Sequence, residues 1–161
     1  MNDDVEELTL EEAATHLLEE CRMVLPGIQA LFGFQLVAVF SNRFDQILTA
    51  GEQTMHLAAI ACIVVAVALV MAPAALHRLC EPHSVSRRFL VISSRMLMWS
   101  MAPLAIGTTI DVYLVSRAIL HSKFAASIIG AAALLAFLLL WVIVPARVGS
   151  PHANRSSSSR G

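Results

Sequence analysis

The stretch from Phe89 to Ser116 constrains this chain more than any other. It is long enough to cross a bilayer, because about 20 helical residues at 1.5 Å each span the hydrocarbon. Yet Ser93, Ser94, Arg95, Ser100, Pro103, Thr108, Thr109 and Asp111 stand among its apolar residues. Ionisable groups at membrane depth are costly and face protein or water rather than lipid. This polar span therefore needs shielding, and three cleaner apolar segments, at about 24–41, 55–76 and 124–144, can supply it. Apolar residues make up 57% of the 161, above the 45–50% usual for a soluble domain. The expected fold class is all-α: an integral membrane four-helix bundle over residues 24–146, with an N-terminal amphipathic helix and spans at 24–41, 55–76, 89–116 and 124–144.

Charge is segregated along the chain. Eight of the twelve acidic residues lie in the first twenty positions, and the net charge is −1. Residues 1–25 read as an acidic amphipathic helix, with Val5, Leu8, Ala13, Leu17, Cys21 and Val24 at helical spacing. Thr9 followed by Glu12 is a capping-box pattern that starts the helix near Leu10, and Pro26-Gly27 marks a boundary or kink. The acidic start has no basic n-region, so the first span is expected to act as its own insertion signal. Residues 147–161 are Ser-rich and basic and are expected to be disordered. In the spans, Ala58, Cys62 and Ala66 form a small-residue ridge, as do Ala126, Gly130 and Ala133. Trp141 reads as an interfacial anchor, and Pro145 as the end of the last helix.

Arginine and lysine counts near the spans set the expected orientation. With both termini in the cytoplasm, the inner side holds Arg22, Arg78, Arg87, Arg88, Arg147, Arg155 and Arg160, against Arg43, Arg117 and Lys123 outside. The expected topology is multi-pass.

The string Leu18-Glu19-Glu20-Cys21-Arg22, with Pro26-Gly27, Gln29 and Phe34, resembles the opening of an uncharacterised bacterial family of small four-helix integral membrane proteins, a domain of unknown function. Phe40-Ser41 with Arg43-Phe44, and Ala72-Pro73 with His77-Arg78, fit it as well. The resemblance covers roughly 17–95. It implies four helices in a bacterial membrane, hence the inner membrane as the expected location, and lends no activity.

Two polar stripes run along the third span. Ser93, Ser100, Gly107 and Asp111 share one, and Arg95, Ala102 and Thr109 share roughly the opposite one. Arg95 and Asp111 lie about 24 Å apart along the helix, so they do not pair. The first stripe is the candidate lining of a polar route, with Asp111 favouring cations at its outer mouth. Glu19, Glu20, Arg22, His77, Arg78 and Arg95 converge on the inner side as a candidate charge cluster. His77, Cys80 and His83 are weak candidate zinc ligands at an unrecognised spacing, with Cys21 on the same side. No cofactor is expected. His56 reads as a hydrated interfacial histidine, with pH sensing as the sharper alternative. The three cysteines have no disulfide-framework spacing and read as free thiols.

No catalytic motif, phosphate loop or paired carboxylate stands in the chain, so an enzyme is not expected, nor a nucleic-acid partner. The expected function is channel- or transporter-like, for a cation or small solute, in a homo-oligomer embedded in the lipid bilayer. The alternative is a non-transporting interaction or scaffold subunit acting through the acidic N-terminal helix. The topology is testable: a cysteine placed at Ser157 in a cysteine-free background should react with an impermeant maleimide only after the cells are opened. Labelling on intact cells would overturn the arrangement with both ends inside.

Overall fold

The computed structural model describes residues 9–80 and 86–148. Those residues form helices and no strand. In order they are α1 (Leu10–Val39), the short α2 (Phe44–Ile47), α3 (Ala50–Cys80), α4 (Arg87–Leu120), α5 (Lys123–Leu138), a π-helical turn (Leu139–Ile143) and α6 (Val144–Val148). Four stretches are long and apolar enough to cross a membrane: Leu10–Val39, Ala50–Leu79, Arg87–Leu120 and Lys123–Arg147. This is an all-α, multi-pass membrane protein. The chain divides within α4 into two units, residues 1–108 and 109–161.

In the first unit, α1 and α3 pack through residues that recur about every 3.5 positions. The buried side of α3 is Glu52, His56, Ala59, Ile63, Ala66, Val70 and Pro73. On α1 it is Ala14, Leu17, Cys21, Ile28 and Gln35. A spacing of three and four in alternation keeps one stripe facing a partner helix that crosses at a shallow angle. Leu17, Cys21, Ile28, Ile63 and Val70 form one cluster, with Leu25, Leu31, Phe32, Val67, Leu97 and Leu104 packed around it. At the far end Gln35 meets His56. Each step of seven down α1 is thus matched by a step of seven up α3, which is an antiparallel register.

The sequence expectation differs here in three places. The acidic segment does not stop at Pro26; α1 is one helix from Leu10 to Val39. Its start is as expected, for Thr9 and Glu12 close a reciprocal capping box, Thr9 N–H to Glu12 Oε2 at 2.9 Å and Glu12 N–H to Thr9 Oγ1 at 3.3 Å. The packed face is rotated from the expected one: Ala14 is buried and Val24 exposed, while Val5 and Leu8 lie outside the described residues. On α3, Ala58 is exposed and Ala59 is fully buried, so only Ala66 of the expected ridge lies in the core. Periodicity is read to within a residue, and one residue turns a helix by 100°.

A membrane level follows from the exposed side chains. The charged side chains of α1, Glu11, Glu12, Glu19, Glu20 and Arg22, are exposed together with Leu10, Thr15 and His16, whereas from Met23 on the exposed side chains are mostly apolar, among them Val24, Phe34 and Val37, with Gln29 the exception. A 30-residue helix is roughly 45 Å long, some 15 Å more than the hydrocarbon core. The N-terminal turns of α1 therefore stand clear of the apolar band while still packed against α3. On the register of Gln35 with His56, Met23 of α1 is level with Ala68 of α3.

Gly107 brings α4 against α3. A Cβ there would lie 3.0 Å from Ile63 Cδ1, 3.1 Å from the Ala59 carbonyl oxygen and 3.3 Å from Cys62 Cβ. Near the opposite end of α3, the rings of His77 and Phe89 lie 5.6 Å apart. Pro26, Pro73 and Pro103 stand inside α1, α3 and α4. Each lacks the N–H that would bond the carbonyl four residues back, those of Arg22, Leu69 and Trp99. By the same register Arg22 and Leu69 are level with each other.

In the second unit, α4 turns into α5 at His121, which holds a left-handed φ of 53°. Ser122 caps α5 by accepting the Ala125 N–H at 3.4 Å. Leu114, Ala126 and Gly130 are buried, and a Cβ on Gly130 would lie 3.3 Å from Tyr113 Cβ. The expected small ridge on this span thus does pack. Pro145 does not end the helix. The π turn widens the backbone ahead of it, with the Val144 N–H bonding Leu139 O, and Pro145 then falls in the first turn of α6, where a missing N–H costs nothing. Trp141 is half-buried with its ring 4.8 Å from that of Phe137.

Gly107→Ala should lower the melting temperature in detergent by the equivalent of about 1–3 kcal/mol, because the Ala59 backbone must shift. Gly33→Ala, on α1 with nothing within 4 Å, should leave it unchanged or raise it.

Candidate functional site

Polar groups are buried in two places in the first unit. One is the end of the α1–α3 pair nearest α2. Thr49 and Glu52 repeat the capping box of α1: Thr49 N–H and Oγ1 both donate to Glu52 Oε2 at 2.9 Å, and the Glu52 N–H donates to Thr49 Oγ1 at 3.4 Å. The cap starts α3 at Ala50, ahead of the expected Met55, and fixes Glu52 at a position only 5% exposed. One turn on, His56 is 6% exposed and its Nε2 lies 3.0 Å from the Gln35 carbonyl oxygen. A carbonyl has no proton, so Nε2 carries it. The Phe44 ring of α2 meets the imidazole edge to face at 5.4 Å. Gln35 itself is 3% exposed. Gln53 holds the α2–α3 turn, donating to Leu48 O at 3.2 Å and Asp45 Oδ1 at 3.5 Å. His56 is therefore a packed histidine rather than a hydrated interfacial one.

The second place is α4. Ser93 is fully buried and Ser100 is 3% exposed. Ser100 Oγ donates to Leu97 O at 2.6 Å, and Thr108 Oγ1 to Leu104 O at 2.8 Å. Ser93 Oγ finds no hydrogen-bond partner among the described residues. Gly107, on the same stripe, is in contact with α3. Within one chain Ser93, Ser100 and Gly107 thus lie in packed protein. Asp111, one turn further along α4, is half-buried.

The inner charged residues are not drawn together. Glu19, Glu20, Arg22, Arg78 and Arg95 are exposed and His77 is half-buried. His16 Nδ1 lies 3.9 Å from Glu19 Oε2, and among the described residues no ion pair joins these six to one another. Arg95 lies beside exposed Met98 and Trp99 on the outward side of α4. His83 and the Cys80 side chain fall outside the described residues. Among those described, no three His, Cys, Asp or Glu side chains are placed to hold a metal. Cys21 and Cys62 are free thiols.

Residues 4–145 match the family of unknown function DUF6328. The chain belongs to that family. No curated protein and no solved structure matches it.

Gln35 and Glu52 are the buried polar residues that the sequence reading did not single out. The signal was present: Thr49-x-x-Glu52 is a capping box, and Glu52, His56, Ala59 and Ile63 continue one heptad stripe. Two substitutions separate the two polar places. His56→Phe keeps the ring against Phe44 but loses a hydrogen bond, and should lower stability by about 0.5–1.5 kcal/mol. Ser93→Ala removes an unsatisfied buried hydroxyl and should be neutral or stabilising by up to about 1 kcal/mol. Thermal unfolding in one detergent measures both.

Proposed function

We propose that this protein is a non-transporting interaction subunit of a bacterial inner membrane, acting through the acidic first turns of α1, with both termini cytoplasmic. The observation that carries the reading is the build of that segment. Glu11, Glu12, Glu19 and Glu20 are exposed, while Ala14, Leu17 and Cys21 on the other side are 3%, 8% and 6% exposed. A carboxylate row on a rigid helix that stands clear of the apolar band is a surface for a basic partner segment, and a pre-organised one costs less entropy on binding. The packed state of Ser93, Ser100 and Gly107 also supports this reading over a conduit through one chain. No enzymatic activity is proposed.

The conduit reading rests on Ser93, Ser100 and the half-buried Asp111 along one helix. It needs a homo-oligomer that opens the stripe to water and passes a cation or small solute.

Purified protein in liposomes should hold potassium, sodium and proton gradients as long as empty vesicles do. In native membranes a photo-crosslinking residue at His16 should give a discrete adduct. That adduct should vanish when Glu11, Glu12, Glu19 and Glu20 are replaced by Gln. A cation leak that Asp111→Asn alters would overturn the reading in favour of the conduit.

A further inference from the structure

Two arginines lie on the outward side of α4, one heptad apart. Arg88 and Arg95 are both exposed, and neither makes an ion pair among the described residues. At 100° per residue they point within about 20° of each other, roughly 10 Å apart along the axis. Between them Val91 is 50% and Ile92 37% exposed. One turn beyond Arg95 stands Trp99 at 70% exposure, with Met98 at 66% and then Ile106 at 48% on the same outward side.

The level of this group in the membrane follows from the packing. Gly107 contacts Ala59 and Ile63, so antiparallel counting sets Trp99 level with Ala68 of α3 and, through the Gln35–His56 pair, with Met23 of α1, where the exposed charges of α1 give way to mostly apolar side chains. Trp99 therefore stands at the boundary, where indole rings favour the headgroup layer. Arg95 is one turn outside it, and Arg88 two turns further. A guanidinium there, flanked by apolar side chains, has a phosphate as its nearest available counter-charge, and its planar fork binds phosphate oxygens in pairs.

We infer that Arg88, Arg95 and Trp99 form a binding site for an anionic phospholipid. The headgroup phosphate sits between the two guanidinium groups, level with Val91 and Ile92. The indole of Trp99 covers the glycerol region, and the acyl chains lie along Met98 and Ile106. An anionic lipid is preferred over a zwitterionic one because it brings no cation of its own to oppose the arginines. The N-terminal carboxylates Glu11, Glu12, Glu19 and Glu20 belong to α1 and make no ion pair with this face among the described residues.

The test uses the full chain in detergent, titrated with dioleoyl phosphatidylglycerol, dioleoyl phosphatidylcholine or inorganic phosphate, and bound lipid counted by native mass spectrometry. Wild type should hold phosphatidylglycerol at least tenfold tighter than phosphatidylcholine, on the order of the pull of two basic residues on an anionic surface. Arg88→Gln and Arg95→Gln should each cut that preference roughly fivefold, with unchanged melting in phosphatidylcholine. Arg43→Gln, an exposed arginine in the α1–α2 turn, should keep it. Equal binding of the two lipids by wild type would overturn the site. So would a preference that survives the double variant, and so would an equal gain in melting temperature from inorganic phosphate, which would point to a free anion.

Discussion

Helices in a bilayer gain nothing by hiding apolar side chains from lipid that is as apolar as they are; close packing and polar contacts hold them together. The packing of α3 shows what that demands. Its inward residues are small or compact for most of its length, and Ala59, Ile63 and Ala66 are fully buried. Gly107 can then lie so near the Ala59 carbonyl that one methyl group would collide with it. α3 also receives α1 through a heptad stripe that ends on the His56–Gln35 hydrogen bond, with Ile63 shared between the two contacts. The polar groups near that bond are confined to one end, where Thr49 and Glu52 also cap the helix.

The same packing governs what the polar residues of α4 can do. Serine and threonine in a membrane helix often bond to their own preceding turn, and Ser100 and Thr108 do so. That makes them compatible with an apolar neighbour and leaves little polarity to offer a passing ion. The charged residues follow a different rule. Glu11, Glu12, Glu19, Glu20, Arg78, Arg88 and Arg95 are all exposed and stand at one end of α1, α3 and α4. Acidic side chains concentrate on α1 and basic ones on α4. Surface charges of this kind add little to stability. Their separation by sign gives the chain one acidic and one basic surface, the features on which the two proposals above rest.

Prolines complete the physical picture. Each of the three long helices of the first unit carries one in its interior. Soluble helices rarely tolerate this, whereas membrane helices do, because neighbouring groups re-satisfy the freed carbonyl. Near the chain's other end, the π turn at Leu139–Ile143 lets the backbone run on past Pro145.

Fold class, the number of spans, the capping box at Thr9 and the affinity to an uncharacterised family were all legible in the residues, because long apolar runs and local hydrogen-bond patterns depend on neighbours in sequence. Facing was not. Whether Ala58 or Ala59 is buried is a matter of 100° of rotation, and only the packed partner decides it. Pro26 read as a boundary or a kink, and α1 runs through it without ending, its Ala14, Leu17 and Cys21 buried before it and Ile28 after it. His56 read as a wet interfacial residue because hydropathy cannot see the Gln35 carbonyl 21 positions away. Arg95 read as part of an inner cluster because topology puts like ends together without saying which way a side chain points. Sequence determined that this chain carries four helices long and apolar enough to cross a membrane; the tertiary register decided which polar groups are buried and which charges remain exposed.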